Sequence, residues 1–230
     1  MCIYTKCLGR ISGSLLGGLT LVGLLALGLG AYTSTHYSGN SEATAHTLQK
    51  KLASGTVFPQ PREIQAFNLT DETGKAFTNK ELTGHWTLLF FGFTRCQDIC
   101  PTTLAVYNKI YQALQTQKVT EPQFVMVSVD PERDSSKQLN QYVKGFNDAF
   151  KAATGEKAVL EKLTKDMSVL YMKVANKGSS DSKDYTIDHS GTIMLIGPNA
   201  KLYAVFPMPH DADSISKDFA SITAHYGTTA

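Results

Sequence analysis

Hydropathy divides the chain into an apolar run, a polar stretch and a long mixed region. The apolar run, Ile11 to Ala31 (ISGSLLGGLTLVGLLALGLGA), carries no charge and is close to the ~20 residues a membrane-spanning helix needs. From Tyr32 to about Gln60 the chain is polar and rich in Thr, Ser and Ala, which reads as a tether with room for a short amphipathic helix near Glu42–Leu52. Phe58-Pro-Gln-Pro-Arg62 closes it, since prolines that near together resist helix and sheet alike.

The mixed region opens on an alternating strand, Ile64–Thr70, a turn at Asp71–Gly74 and a short return over Lys75–Phe77. Trp86–Gly92 (WTLLFFG) and Gln123–Val129 (QFVMVSV) are apolar throughout, as central strands buried on both faces are. Helical spacing marks Thr102–Gln117, Ser135–Phe150, a short segment Val159–Lys165, and Asp213–His225. Val169–Val174, Thr192–Ile196 and Leu202–Phe206 read as later strands. This order predicts an α/β domain over 61–230, with a mixed central sheet flanked by helices.

Charge adds location rather than partner. Lys6 and Arg10 precede the apolar run, and the next Lys or Arg is Lys50. The positive-inside rule leaves 1–10 in the cytoplasm, makes 11–32 a transmembrane anchor and exports the tether (33–60) and the domain. A cleaved signal peptide competes, because Gly28, Gly30 and Ala31 are small, but the run is long for one. The short N-terminus without an Arg-rich transit peptide points to a bacterial inner membrane, crossed once, with the domain in the periplasm. The net charge of +2 is spread along the chain with no basic stripe, which excludes a nucleic-acid-binding surface.

Of four cysteines, Cys2 and Cys7 precede the apolar run and read as unremarkable thiols. Cys96 and Cys100 stand together in Phe90-Phe-Gly-Phe-Thr-Arg-Cys96-Gln-Asp-Ile-Cys100-Pro101, between a buried strand and a helix. Pro101 fits a first helical turn, so helix is expected from about Pro101, with Cys96–Cys100 as the loop leading into it. Helix N-termini favour thiolate, the form that attacks disulfides and binds metal. The spacing serves a disulfide or a chelate equally, and two thiolates suit Cu(I) or Zn²⁺. His189, in Tyr185-Thr-Ile-Asp-His189-Ser-Gly191 near an expected turn, is the candidate third ligand.

Three motifs in this order are similar to the Sco/SenC family: Phe-Phe-Gly-Phe-Thr-x-Cys-x-Asp-x-Cys-Pro, Val-Asp-Pro-Glu-Arg-Asp, and Asp-His-Ser before a strand. The resemblance spans about Pro61 to Phe219. It implies a thioredoxin-like fold, an N-terminal membrane anchor, and one copper, Cu(I) or Cu(II), held by Cys96, Cys100 and His189. It further implies copper delivery to, or cysteine reduction at, the binuclear copper centre of cytochrome c oxidase subunit II. Another copper chaperone and a thioredoxin-like reductant are the partners such a role calls for. The protein is then a metallochaperone rather than an enzyme of turnover, with Cys96 and Cys100 the redox pair if reduction is its task. A general thiol–disulfide oxidoreductase is the alternative; a peroxiredoxin-like peroxidase leaves Asp-His-Ser unexplained.

Gln97 departs from the family's usual Pro and Thr103 from a common acid; neither removes a ligand. Asp98 and Asp130 match recurrent family acids expected to orient the loop and to tune the ligands through hydrogen bonds. Arg133 and Asp134 read as structural, His85 as solvated, and His36 and His46 as tether residues. Met208 and His210 form a candidate auxiliary soft site, whereas Met126, Met167, Met172 and Met194 lie in apolar stretches and are expected in the core.

Overall fold

The structure, a computed structural model, describes residues 45–176 and 184–227. Residues 1–10, the apolar run and His36 lie outside them, and no helix among the described residues is long and apolar enough to cross a membrane. The compact unit runs from Ala45 to Ala230.

Among the described residues, ten strands and four longer helices follow one another: β1 Thr56–Glu63, β2 Asn68–Asp71, β3 Ala76–Thr78, β4 Thr87–Gly92, α1 Ile99–Gln117, β5 Gln123–Ser128, α2 Ser136–Lys144, β6 Lys151–Thr154, α3 Lys157–Asp166, β7 Tyr171–Ala175, β8 Tyr185–His189, β9 Ile193–Ile196, β10 Lys201–Phe206 and α4 Ala212–Gly227. Eight strands form one sheet in the order β1-β10-β9-β4-β5-β6-β2-β3, while β7 and β8 form a separate hairpin. β4, β5 and β6 run parallel; β9, β10 and β1 continue antiparallel on one side, and β2 and β3 on the other. This is the mixed α/β sheet expected from the alternation of apolar runs and helical periods.

All six residues of β4 are buried, which is why its sequence shows no alternation. The helix after it packs against α4. The sulfur loop therefore emerges at the end of a central strand, where open α/β sheets bind ligands.

Several expectations need correction. The prolines at 59 and 61 do not close a tether but lie inside β1. That strand is at the sheet's edge, and its pairing with β10 shifts register between Val57 and Arg62. An edge strand can carry residues without an N–H at such an irregularity. The first sheet strand after it is shorter than Ile64–Thr70, starting at Asn68. The helix expected over Ser135–Phe150 ends at Lys144, opened by a Ser135–Gln138 capping box. The chain then turns so that Phe150, fully buried, leads into β6. Lys-Ala-Ala-Thr has little strand propensity of its own; pairing with β5 and the burial of Ala152 and Ala153 create that strand. Met126, Met167 and Met194 are buried, but Met172 is 63% exposed on β7, a strand with no buried residue.

The unit's beginning is tied down by one carboxylate. Asp218 on α4 is buried and accepts the backbone N–H groups of Ala53, Ser54 and Gly55, each at 2.8 Å. Asp218→Ala strands three donors, so it should destabilise the domain by roughly 3 kcal/mol in urea unfolding; an unchanged midpoint would show that this anchor is dispensable.

Candidate metal centre

The site is assembled from three consecutive accidents of backbone geometry at the end of β4, the start of α1 and the end of β8. Gly92 ends β4 because the Cys100 sulfur needs its space: a Cβ there would lie 2.7 Å from Cys100 Sγ and 3.0 Å from the Phe90 ring. α1 begins at Ile99, two residues earlier than expected, so Cys100 belongs to the first helical turn rather than to the loop. Pro101 still falls in that first turn, where the missing N–H costs nothing.

Asp98 occupies the N-cap but makes no side-chain cap bond. The sulfur of Cys96 does that work instead, accepting the Cys100 N–H at 3.3 Å. Asp98 contributes its backbone N–H to the same sulfur, while its carboxylate belongs to an exposed residue. These donors and the helix end favour negative charge on Cys96.

β8 supplies the third group. Tyr185 and Ile187 are buried and Thr186 and Asp188 exposed, so the period of two turns His189 inward from the strand's last position. Its Nε2 lies 3.4 Å from Cys100 Sγ and 4.0 Å from Cys96 Sγ. Its Nδ1 lies 3.3 Å from the Ser190 carbonyl oxygen, so the tautomer with the proton on Nδ1 donates there and offers the Nε2 lone pair to a metal. Phe93 meets the imidazole edge to face, with ring centroids 5.9 Å apart. All three ligand atoms lie within 4.8 Å of one another, the only such group of His, Cys, Asp or Glu found among the described residues. Cys96 and His189 open into a groove of about 570 Å³ bordered by Arg95, Gln97, Asp98, Asn176 and Asp188, while Cys100 is buried.

The two cysteines are free thiols with opposite tendencies. Cys96, half-buried, is held down to about 4, first by the hydrogen bond from the Cys100 thiol and also by His189 and the backbone N–H groups, against the opposing effect of burial. Cys100, fully buried, is pushed far up because it gives its proton to Cys96, is desolvated and faces that negative charge. The pair is thus one thiolate hydrogen-bonded by one thiol. A soft cation arriving at Cys96 would displace the shared proton and gain the second thiolate and the imidazole. Two sulfurs and one nitrogen at this separation fit a thiophilic metal.

Neighbouring charges hold the frame rather than the ligands. Asp130 is fully buried, pairs with Arg133 and accepts the Tyr185 hydroxyl at 2.6 Å. The Arg133 guanidinium donates to the Tyr185 carbonyl oxygen at 2.8 Å and lies 3.6 Å from that ring's centroid. Asp130 therefore acts on the root of β8, four residues from His189, rather than on the ligands themselves. Asp134 accepts the Thr94 N–H and hydroxyl and the Ser128 hydroxyl, fastening the sulfur loop to β5. Gly92, Phe93 and Tyr185 escaped the sequence reading; a glycine closing an apolar strand just before a cysteine was the available signal for the first. Gln97 is exposed and Thr103 buried. His85 is partly buried, its Nε2 2.9 Å from the Glu81 carbonyl oxygen, and His46 is exposed; neither reaches the site.

The SCO1/SenC family model matches residues 58–224, more than half of the chain. The chain belongs to the SCO1/SenC family. It is 31% identical over 161 residues to a putative copper-binding protein of Stutzerimonas stutzeri, covering 70% of this chain and 77% of that one. It is 35% identical over 150 residues to the mitochondrial protein SCO1 homolog 1 of Arabidopsis thaliana, covering 65% of this chain but 44% of that longer protein. Among solved structures, copper-bound Arabidopsis thaliana ScoI matches with a TM-score of 0.63 and 33% identity, over 70% of this chain and 98% of that one. Copper-bound Bradyrhizobium japonicum ScoI matches with 0.59 and 32%, over 69% and 98%. The Sco fold, thioredoxin-like with a central mixed sheet, is therefore the frame of this site.

Two measurements check this electrostatic picture. Because thiolate is the reactive form, alkylation of Cys96 in the reduced protein should stay fast as pH falls and halve only near pH 4, while Cys100 stays unreactive. A Cys96 rate that climbs through pH 8–9, the range of an ordinary thiol, would contradict it. Gly92→Ala should displace Cys100 Sγ and weaken binding of a thiophilic metal by about 10–100-fold, read by competition with a chromophoric chelator.

Proposed function

We propose that this protein is a copper-binding assembly factor for cytochrome c oxidase, holding one copper with Cys96, Cys100 and His189 and passing it to the binuclear copper centre of subunit II. The observation that carries this reading is the convergence of two sulfurs and one imidazole nitrogen within 4.8 Å. Copper is cargo here. Two thiolates and an imidazole suit three-coordinate Cu(I), and Cu(II) would take a further donor. The open groove gives an acceptor direct access to Cys96 and His189. The buried Asp130–Arg133–Tyr185 contacts keep His189 in place without occupying it.

Location supports the same role. The uncharged run Ile11–Ala31 with Lys6 and Arg10 before it favours a single-pass anchor in a bacterial inner membrane, leaving the domain in the periplasm where such an acceptor would be met. Delivery by this route calls for a copper donor upstream and a thioredoxin-like reductant, since oxidised cysteines cannot take the metal.

The thiolate character of Cys96 favours a second reading, reduction of the acceptor's cysteines. Cys96 sulfur would attack the acceptor disulfide, forming a mixed disulfide as one acceptor thiolate leaves. Cys100, deprotonated in the step, would then attack Cys96 and release the second acceptor thiolate. Two electrons pass to the acceptor, and Cys96–Cys100 is left as a disulfide.

Copper titration tests the copper reading. The reduced protein should bind one Cu(I), His189→Ala should lose affinity by about 10-fold or more, and the Cys96–Cys100 disulfide form should not bind. Unchanged affinity in His189→Ala would remove the third ligand, and tight binding by the disulfide form would place the copper elsewhere.

A further inference from the structure

The Met208–His210 segment, which reads from sequence as a separate soft site, sits beside the ligand-bearing turn. β10 pairs antiparallel with β9, setting Phe206 opposite Ile193. Carried two residues further, that register brings Met208 opposite Gly191, itself two residues beyond His189. The contact is close: a Cβ on Gly191 would lie 2.4 Å from Met208 Sδ and 3.0 Å from its Cγ. The same point is 2.9 Å from Cγ2 of Ile99, the residue preceding Cys100. The thioether is thus wedged where the His189 turn meets the first turn of α1. It is nevertheless 47% exposed, although the fold buries Met126, Met167 and Met194. His210, two residues on, is half-buried, and its Nε2 has no hydrogen-bond partner among the described residues.

A thioether in that place has a chemistry that leucine lacks. It is a neutral soft donor, it cannot form a disulfide, and it binds Cu(I) without having to lose a proton. We propose that Met208 is an exit ligand for Cu(I), taking the coordination position of His189 while copper leaves the site. The step is a ligand exchange: the copper–Nε2 bond of His189 breaks and a copper–Sδ bond to Met208 forms. Copper stays Cu(I), both thiolates remain bound, and no proton or electron moves. The metal is then carried to the solvent side of the site on a weaker donor, from which a copper-accepting protein with thiolate or imidazole ligands can withdraw it. This rests on the copper reading of the Cys96–Cys100–His189 site.

Met208→Leu is the decisive variant, because it conserves volume and apolarity and removes only the sulfur. The full-length reduced protein, loaded with one Cu(I), is mixed with a bathocuproine chelator and the transfer followed by absorbance, with the equilibrium affinity taken from the end points. Met208→Leu should slow copper loss by about tenfold, with the rate changing more than the affinity. Selenomethionine protein offers a second readout: with His189→Ala holding copper on the two thiolates, the selenium absorption edge should show a copper neighbour that disappears when Met208→Leu is added. Wild-type transfer rates in Met208→Leu, or no copper neighbour at selenium, would overturn the exit-ligand role while leaving the copper site intact. Failure of the wild-type protein to hold one Cu(I) would overturn both.

Discussion

Everything at this site depends on the sulfur of Cys96 standing in for the missing cap of α1. A helix start leaves backbone N–H groups pointing at whatever lies before it. Here Asp98 occupies the capping position without bonding through its side chain, and the Cys100 N–H turns to Cys96 Sγ. That bond does two things at once. It holds the two sulfurs in one turn of chain, and it stabilises negative charge on the more accessible of them. The buried partner then has every reason to keep its proton and share it. A metal or a disulfide can replace that shared proton, so a single local arrangement underlies both chemistries open to the protein.

The third ligand is held from a different part of the fold. β7 and β8 form a hairpin apart from the main sheet, so His189 would be free to drift without a brace at the strand's root. Arg133 provides it, pairing with Asp130, bonding the Tyr185 carbonyl and stacking on the Tyr185 ring. Burying an ion pair is a weak source of stability but a strong constraint on geometry when one partner also grips a neighbouring strand. The Asp-Pro-Glu-Arg-Asp run after β5 thus serves two ends of the site: Asp130 and Arg133 face β8, and Asp134 holds the sulfur loop through Thr94. Removing the buried charge of Arg133 would leave Asp130 without its partner and loosen the hairpin that carries the imidazole.

Much of this was legible in the chain itself, and the reasons differ from place to place. β4 and β5 show as unbroken apolar runs because both faces are covered, and the Cys96–Cys100 pair and His189 stand out because their residue types carry chemistry. What escaped depends on tertiary contact. β6 is written Lys-Ala-Ala-Thr and becomes a strand only by pairing beside β5. The prolines of β1 look like a chain break until an edge position and a register shift accommodate them. Met172 sits in an apolar stretch yet is exposed, since hydropathy cannot report that β7 is the strand of the hairpin with no buried residue. Asp98 was expected to orient the loop and Asp130 to tune the ligands; in the structure the first offers a backbone N–H to Cys96 and the second a brace at Tyr185. The partnership of Met208 with Gly191 was hidden because it follows from strand register, not from spacing.

The central claim is that two sulfurs and one imidazole of this chain hold a single copper. X-ray absorption at the copper edge, on the reduced protein carrying one Cu(I), tests it most directly. The account predicts a first shell of two sulfurs and one nitrogen, with the outer-ring scattering of a single imidazole that vanishes in His189→Ala. A shell with fewer than two sulfurs, or an imidazole signal that survives that substitution, would contradict it.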